Sequence, residues 1–388
     1  MSDLSQAEWL NKPETQAILA ALDGHKRRTR AVGGVVRDTI MGRDHSGDID
    51  MATELLPDEV IERARAAGIA VYPTGIEHGT VTLRLGDVLA EVTTLRQDVE
   101  TDGRHAVVAF GTDWVEDARR RDFTLNALYC AADGTLYDPL GGVEDARNGR
   151  VRFIGAASQR IAEDGLRVYR FFRLSASHAA EKFDPDGLSA CADAVNRLDH
   201  LSRERVGGEV MRMLGLPRVA LTLAVMSEIG LLRLDDQVLR DLVAYEDIGG
   251  QSVAARLAMI AGPQLDQYQA RWRLSNEVVG QAQTVGRAAD LMADERIAEA
   301  AYRHGELAVE GLAIAAARGK WAPARLAEGA RMLGSLVVPP FPVSGHDLAG
   351  LGMVPGPALG IELARLERAW IDSGFALGKA ELLAEARI

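Results

Sequence analysis

The chain has 388 residues, of which 47% are hydrophobic and 26% are charged. This is the composition of a globular protein of roughly two to four domains, and no apolar run reaches the ~20 residues that a membrane span requires. The net charge of −12 means that the average surface repels polyanions, so any nucleic acid has to bind at local clusters of positive charge. The basic residues are 39 Arg and only 5 Lys, and Arg makes forked contacts with phosphate.

The cysteine content and the N-terminal segment bear on the compartment. Only Cys130 and Cys191 are present, which is too few for a disulfide framework or a four-thiolate zinc site. The first 14 residues (MSDLSQAEWLNKPE) lack the basic and apolar stretches of a secretory signal. We therefore expect a protein of the reducing cytoplasm.

The first 150 residues combine strand and helix signals. We predict helices at 13–22, 35–41 and 57–67, and strands at 30–32, 48–53, 80–85, 88–95 and 134–138. Gly86-Asp87 separates two alternating strands and indicates a hairpin. Residues 96–116 are polar with one apolar centre, and we predict a long mobile loop there.

After residue 150 helical periodicity takes over, for example at 161–176, 203–214, 218–229 and 236–246. A cluster of helix breakers at 337–343 (VVPPFPV) precedes a further predicted helix at 361–373. The pattern predicts an α+β protein with a small head containing a mixed sheet (1–150). An all-α neck (151–215), body (216–335) and tail (336–388) follow the head.

The first group of candidate functional residues surrounds a glycine pair. Gly33-Gly34 lies between a predicted strand and helix, where the backbone can approach a phosphate closely. Arg37 follows one turn later and is suited to fork onto phosphate oxygens. Asp48 and Asp50 are two residues apart on a predicted strand, so their side chains share one face with Cα atoms about 6.5 Å apart.

Two such carboxylates are suited to holding a pair of Mg²⁺ ions that activate a hydroxyl and stabilise a leaving pyrophosphate. An isolated Asp-x-Asp strand is more often a solvated turn. The Gly pair, Arg37 and the two aspartates in this order and spacing favour the metal site.

This segment resembles the nucleotidyltransferase head of the class II tRNA CCA-adding enzymes and bacterial poly(A) polymerases. Their GGxVRD, LGR-like and DxDxAT motifs correspond to 33–38, 41–43 and 48–53 here. Further similarity lies at Thr74-Gly75, at 78–80 and at 91–96 (EVTTLR), where the family usually has an aromatic residue in place of Leu95. The resemblance implies a polymerase-β-like fold for the head, and it implies that 98–104 is a loop that helps to switch between nucleotides.

The stretch 117–127 (DARRRDFTLNA) resembles the second family motif, with an additional Arg at 119. Arg120 and Arg121 supply positive charge for a triphosphate, and Asp122 is able to accept a hydrogen bond from a ribose hydroxyl. The stretch 138–142 (DPLGG) resembles the hinge between head and neck, for which we expect a mechanical role.

The stretch 163–173 resembles the family motif EDxLRxxRxxRF. We expect Asp164 and Arg167 to be neighbours on one helix face, with Arg170 and Arg173 continuing the stripe. The family uses this Asp and the first Arg as a protein template for the incoming base. An Asp carboxylate accepts from the amino group of cytosine or adenine, whereas uracil and guanine present a carbonyl at that position.

Weaker similarity at 201–205, 274–276 and 345–370 extends the resemblance over almost the whole chain. It implies a Mg²⁺-dependent transferase that uses ATP and CTP to extend the 3′ end of tRNA, with a tail that binds RNA. Poly(A) polymerase, a CC-adding or A-adding enzyme, and a non-catalytic tRNA-binding protein are the alternatives. The sequence leaves open the oligomeric state, the position of the basic track for tRNA and whether Glu91 is a third metal-binding carboxylate.

Overall fold

The computed structural model of the protein describes residues 3–45, 47–73, 75–98 and 108–387. Within these ranges the strands are β1 (Thr29–Val32), β2 (Ile49–Thr53), β3 (Ala70–Tyr72), β4 (Thr80–Leu85), β5 (Val88–Thr94), β6 (Arg96–Asp98), β7 (Val108–Phe110), β8 (Tyr129–Cys130) and β9 (Leu136–Tyr137).

Seven of these strands form one mixed sheet in the order β3-β4-β5-β2-β1-β8-β9. Only β2 and β5 run parallel within this sheet, and its other neighbours are antiparallel. The hairpin predicted at Gly86-Asp87 is confirmed, because Leu85 of β4 pairs with Val88 of β5. Strands β6 and β7 form a separate two-stranded ribbon.

The helices are α1 (Glu8–Asn11), α2 (Pro13–Ala21), α3 (Gly34–Ile40), α4 (Pro57–Ala66), α5 (Trp114–Arg119), α6 (Gly142–Arg147), α7 (Ala157–Glu163), α8 (Leu166–His178), α9 (Pro185–Ala194), α10 (Arg203–Leu214), α11 (Ala220–Glu228), α12 (Asp236–Asp247), α13 (Val253–Ala261), α14 (Leu265–Trp272), α15 (Asn276–Ala293), α16 (Ile297–His304), α17 (Ala308–Gly319), α18 (Pro323–Ser335), α19 (Gly345–Gly350), α20 (Pro357–Asp372) and α21 (Lys379–Ala384). None of the helices in the described ranges is long and apolar enough to cross a membrane.

The chain folds into two compact units. Unit 1 extends through Leu201 and includes Ile229–Leu231, whereas unit 2 comprises Ser202–Glu228 and the chain from Leu232 onward. All nine strands of the described residues lie in unit 1, and unit 2 is helical. The predicted α+β class is therefore confirmed, and the finer division into head, neck, body and tail stays a prediction.

Two predicted elements are wrong. The segment 96–116 is not one loop, because it contains β6, β7 and the start of α5. The predicted helix at 161–176 is interrupted at Asp164, which is extended (φ −148°, ψ 103°) between α7 and α8. The apolar periodicity continues across this break, so the sequence pattern alone does not show it.

An aromatic cluster anchors α8 against the rest of unit 1. Phe171 of α8 stacks on Phe153 with ring centroids 5.5 Å apart, and Phe123 lies 4.8 Å from Phe153. Aromatic pairs at these distances add to the stabilisation that burial provides. Because Phe123 follows Asp122 directly, this cluster holds α8 beside the second motif (117–127).

Candidate active site

The two aspartates predicted to hold metal flank the start of β2. Asp50 lies in the strand, paired in register with Glu91 of β5, and it is accessible to solvent. Asp48 is also exposed, but it precedes Ile49, the first residue of β2. The prediction that both aspartates belong to one strand is right for Asp50 and wrong for Asp48, because pairing with β5 begins one residue later.

Carboxylates influence one another where the interior strands β2 and β5 pair. Although Asp50 is accessible to solvent, desolvation by the surrounding protein raises its pKa and Asp48 adds to the rise, whereas Arg121 and His45 oppose it. Burial also raises the pKa of Glu91, with further contributions from Asp50 and Asp48. Carboxylates that repel one another in this way are stabilised by a bound cation.

The donor set of Asp48 and Asp50 fits a divalent metal. Carboxylate oxygens are the protein ligands that Mg²⁺ prefers, and exposed carboxylates leave coordination positions for substrate and water. No group of three His, Cys, Asp or Glu side chains converges as a metal site within the described ranges. Glu91 thus lies beside Asp50 in register without completing a three-carboxylate cluster.

The glycine pair forms the turn from β1 into α3. Gly33 has a φ of +74°, a conformation that favours glycine, and an ideal Cβ built on it would lie 3.9 Å from Oδ2 of Asp50. Gly34 is the first residue of α3. The structure therefore brings the predicted phosphate turn next to the predicted metal-binding pair.

Arg37, predicted to contact phosphate, is buried beneath this turn. Its Nε donates to Oδ1 of Asp38 at 2.8 Å and its Nη1 donates to Oδ1 of Asn126 at 2.7 Å. Burial lowers the pKa of Arg37, Asp38 partly offsets this effect, and Arg173 adds to it. The guanidinium supports the turn from the inside while adding positive charge below Gly34.

The second motif gathers arginines around one buried carboxylate. Arg120 donates from Nε to Oδ1 of Asp117 at 2.8 Å, and Arg121 donates from Nη2 to Oδ2 at 3.1 Å. Tyr129 also donates to Oδ2 of Asp117, at 2.8 Å. Burial opposes ionisation of Asp117, but Arg121 and Arg120 outweigh it and lower its pKa. Two guanidinium groups share one carboxylate, which leaves a surplus of positive charge.

Asp122, predicted to contact ribose, is bound to other parts of the site. Arg170 of α8 donates from Nε to Oδ2 of Asp122 at 2.7 Å, and Asn126 donates to Oδ1 at 3.2 Å. Burial opposes ionisation of Asp122, but Arg170 outweighs it and lowers the pKa. Because Asn126 also accepts from Arg37, a continuous chain of hydrogen bonds joins α3, the second motif and α8.

The two residues predicted to read the base do not occupy one helix face, contrary to the sequence prediction. Asp164 lies in the link between α7 and α8, where its Oδ1 accepts from the backbone N–H of Leu166 at 3.0 Å. Arg167 lies in the first turn of α8 and donates from Nη1 to Oε2 of Glu163 at 2.7 Å. The glycine between them, Gly165, allows close packing, since an ideal Cβ would lie 2.8 Å from Cδ2 of Leu198.

Arg160, for which the sequence indicates no role, joins α7 to the second motif. Its Nη2 donates to the carbonyl of Arg121 at 2.7 Å, and Arg167 donates to the carbonyl of Arg120 at 3.3 Å. Arg160 is 7% exposed. A single Arg in a helix carries no local sequence signal for contacts with backbone 39 residues away.

The sequence also did not predict the cluster of hydrogen bonds around Asp38. His45 and His178 each lie 3.1 Å from an oxygen of Asp38, which accepts from Arg37 as well. Burial opposes ionisation of Asp38, but His178 and Arg37 hold its pKa well below the usual range. Scattered histidines gave no signal, because these contacts depend on tertiary structure.

Two predicted features lie partly or wholly outside the residues that the structure describes. Residues 99–104 of the predicted nucleotide-switching loop (98–104) and Thr74 lie outside the described residues. At the predicted hinge, Asp138 accepts from the backbone N–H groups of Gly142 at 2.8 Å and Val143 at 3.0 Å. These bonds fix the start of α6, as expected for a mechanical element.

Comparisons with known proteins place this site in a family. Residues 29–152 match the family model described as the Poly A polymerase head domain. The mitochondrial CCA tRNA nucleotidyltransferase 1 of Danio rerio is 34% identical over 386 residues, covering 91% of this chain and 86% of the relative. The corresponding protein of Homo sapiens is 33% identical, with 96% and 92% coverage.

A solved structure agrees with these relatives. The Bacillus stearothermophilus CCA-adding enzyme in complex with CTP superposes with a TM-score of 0.79 at 30% identity, over 96% of each chain. Together with the sheet, the glycine turn and the paired aspartates, these similarities show that the chain is a nucleotidyltransferase that belongs to the family of CCA-adding tRNA nucleotidyltransferases.

Proposed function

We propose that the protein adds C, C and A to the 3′ end of tRNA from CTP and ATP, releasing pyrophosphate and using no nucleic-acid template. The observation that carries the proposal is the connected polar network of unit 1. It links the glycine turn, the second motif and the helix α8 around the exposed carboxylates of Asp48 and Asp50. Full-length relatives named as CCA tRNA nucleotidyltransferases support the same function.

We assign the metal-binding role to Asp48 and Asp50, and Mg²⁺ is the metal we propose. Mg²⁺ bound there would favour ionisation of the attacking 3′ hydroxyl and stabilise negative charge on the leaving pyrophosphate. The protein itself orients these carboxylates, through the β2–β5 pairing for Asp50 and through the segment before β2 for Asp48.

We assign triphosphate binding to the turn at Gly33 and Gly34 and to the positive charge of Arg37, Arg121 and Arg173. The turn lies next to Asp50, and the charge of Arg121 reaches Asp50 strongly enough to oppose its protonation. Asp122 is proposed to contact the ribose, with Arg170 holding its carboxylate ionised.

We propose that Asp164 and Arg167 read the base. The extended backbone at Asp164 turns its carboxylate toward the start of α8, where Arg167 is the second residue of the helix. The pairing of an acceptor with a donor matches the amino group and ring nitrogen of cytosine and adenine. An incorrect base leaves these groups without hydrogen-bond partners, which is a strong basis for discrimination.

The helical body and tail are proposed to bind the tRNA by its shape and backbone, because tRNAs share geometry more than sequence. A cytoplasmic location is part of the proposal. It rests on Cys130 and Cys191, which are free and buried thiols, as expected in a reducing compartment.

The test is a set of incubations with Mg²⁺ and a tRNA transcript that lacks its 3′ CCA. The nucleotides are ATP alone, CTP alone, or both, and the products are sequenced. We expect CC with CTP, CCA with both nucleotides and little product with ATP alone. An unstructured RNA of equal length is the control primer, on which we expect little addition.

Long A-tracts on the unstructured primer, with CTP ignored, would assign the protein to the poly(A) polymerases instead. Addition limited to CC or to a single A would assign it to the partial enzymes. Binding of tRNA with no addition at any metal concentration would contradict the enzymatic assignment.

A further inference from the structure

The imidazole of His45 lies between the phosphate turn and the metal-binding pair. Its Nδ1 is 3.1 Å from Oδ2 of Asp38, and its Nε2 is 3.2 Å from the backbone carbonyl oxygen of Asp48. Both partners are hydrogen-bond acceptors, and the ring presents one nitrogen to each of them. The side chain of His45 is 17% exposed, so most of the ring is shielded from water, although its contact with Asp48 lies at the surface.

The β-sheet fixes Asp50 but not Asp48. Pairing between β2 and β5 begins at Ile49 with Ala90 and continues at Asp50 with Glu91. Asp48 precedes this ladder, so its backbone orientation depends on contacts other than strand pairing. The hydrogen-bonding distance from His45 to the Asp48 carbonyl supplies such a contact.

The other end of His45 is held firmly. Asp38 is buried in α3, accepts from the Nε of Arg37 at 2.8 Å and lies 3.1 Å from Nε2 of His178 in α8. Gly34 and Gly47 pack against the ring at ordinary van der Waals distance, since an ideal Cβ on Gly34 would lie 3.5 Å from Cε1 of His45 and one on Gly47 would lie 3.4 Å from Nε2. The ring is therefore packed beneath the phosphate turn.

We propose that His45 is a positioning residue that fixes Asp48 relative to Asp50 and to the turn at Gly33-Gly34. The inference rests on the proposed function, in which Asp48 and Asp50 hold the metal. His45 does not touch the metal or the substrate in this proposal. It acts by fixing the peptide plane of Asp48, as groups that orient metal ligands do at other metal sites.

The test measures metal binding without turnover. Binding of Mn²⁺ to the full chain is titrated by electron paramagnetic resonance for the wild type and for His45→Ala, His45→Gln and Asp48→Asn. The control is His25→Ala, since His25 is an exposed histidine elsewhere in unit 1. Thermal unfolding and tRNA binding are measured for every variant.

We expect His45→Ala to weaken Mn²⁺ binding about tenfold, in the range found when a group that orients a metal ligand is removed. His45→Gln should recover part of the affinity, because its amide is able to donate to the Asp48 carbonyl. His25→Ala should bind Mn²⁺ as the wild type does. In assays of nucleotide addition by His45→Ala, the Mg²⁺ concentration that gives the half-maximal rate should rise, while the KM for tRNA stays unchanged.

Two results separate failure of this inference from failure of the proposed function. If Asp48→Asn weakens Mn²⁺ binding and neither His45 variant does, the positioning role is wrong and the metal assignment stands. If Asp48→Asn leaves Mn²⁺ binding unchanged, the metal assignment and the role of His45 are both wrong. Equal losses of Mn²⁺ and tRNA binding, together with a lower Tm, would show that His45 is only structural.

Discussion

The two units of the protein use buried charge differently. In unit 1, the buried carboxylates of Asp38, Asp117 and Asp122 each bind basic side chains of the candidate site. In unit 2, the fully buried Arg256 pairs with Glu246 at 3.0 Å and donates to the backbone carbonyls of Leu214, at 2.6 Å, and Pro217, at 2.9 Å. The buried carboxylates of unit 1 therefore lie among the residues of the candidate site, whereas the buried Arg256 of unit 2 binds backbone carbonyls between helices.

The segments that resemble family motifs also differ between the two units. In unit 1 they meet in one network. In unit 2 they cap helices, since Ser202 accepts from the N–H of Arg205 and Ser275 from the N–H of Val278, each at 3.3 Å, while Asp347 accepts from the N–H of Ser344 at 2.9 Å. Motifs that resemble the family therefore form the polar network only in unit 1, whereas those of unit 2, like the hinge at Asp138 in unit 1, fix the start of a helix.

The largest expected effect is in unit 1. Asp50→Asn should slow nucleotide addition about 10⁴-fold or more, as removal of an essential catalytic group does. The measurement is single-turnover addition at saturating Mg²⁺. The folded state should not be weakened, because a raised pKa means that at neutral pH the ionised Asp50 opposes folding.

The matched control is Asp44→Asn, which changes an exposed aspartate in the same segment. It should add nucleotides at the wild-type rate, and both variants should bind tRNA normally. Near-normal addition by Asp50→Asn would contradict the metal assignment.

A large effect on stability is expected in unit 2. Arg256→Met removes the buried cation that donates to Glu246 at 3.0 Å, which should lower the free energy of unfolding by about 3–5 kcal/mol. Nucleotide selection by the folded fraction should not change. Chemical denaturation monitored by circular dichroism measures the loss.

Arg331→Met is the control for that variant, because the Arg331 side chain is 74% exposed beside Glu328 in the same unit. Its loss should cost less than about 1 kcal/mol. If the two variants lost equal stability, burial would not distinguish the two ion pairs.

Asp164→Ala should reduce the preference for CTP and ATP over UTP and GTP about a hundredfold or more, because the carboxylate that accepts from the amino group is gone. Competition between nucleotides, followed by sequencing of products, measures the ratio. Asp164→Asn is a sharper variant, since its amide oxygen is still able to accept from the N–H of Leu166 while its NH₂ group changes base preference. Wild-type discrimination by both variants would remove Asp164 from base reading.

The smallest predicted effect concerns a cap in unit 2. Ser275→Ala should lower the free energy of unfolding by about 1 kcal/mol, because the first turn of α15 loses its side-chain acceptor. The change should leave nucleotide selection intact. Ser335→Ala, at the exposed end of α18, is the control and should be nearly neutral.

Local sequence patterns correctly predicted those elements of unit 1 that depend only on neighbouring residues. The β4–β5 hairpin followed from alternation and Gly86-Asp87, and the turn at Gly33 followed from its position between strand and helix. The ribbon β6–β7 was missed because β6 is polar and β7 is an apolar run of only three residues within a polar stretch. The break at Asp164 was missed because helical periodicity continues through it.

The sequence did not predict the parts of the candidate site that depend on tertiary contacts. Arg37 carries the features of a phosphate ligand, yet the fold buries it against Asp38 and Asn126. His45 and His178 lie 133 residues apart in the sequence and converge on Asp38. No local pattern encodes such convergence, because it depends on how α3 and α8 pack.

The most direct test of the account is the 3′ sequence that the protein builds with all four nucleotides present at equal concentration. The substrate is a tRNA that lacks CCA, incubated with Mg²⁺ and the full chain. Because one protein site is proposed to read both bases and to reject uracil and guanine, the account predicts products that end in CCA and then stop. Products with uridine or guanosine at these positions, or with extended A-tracts, would contradict it.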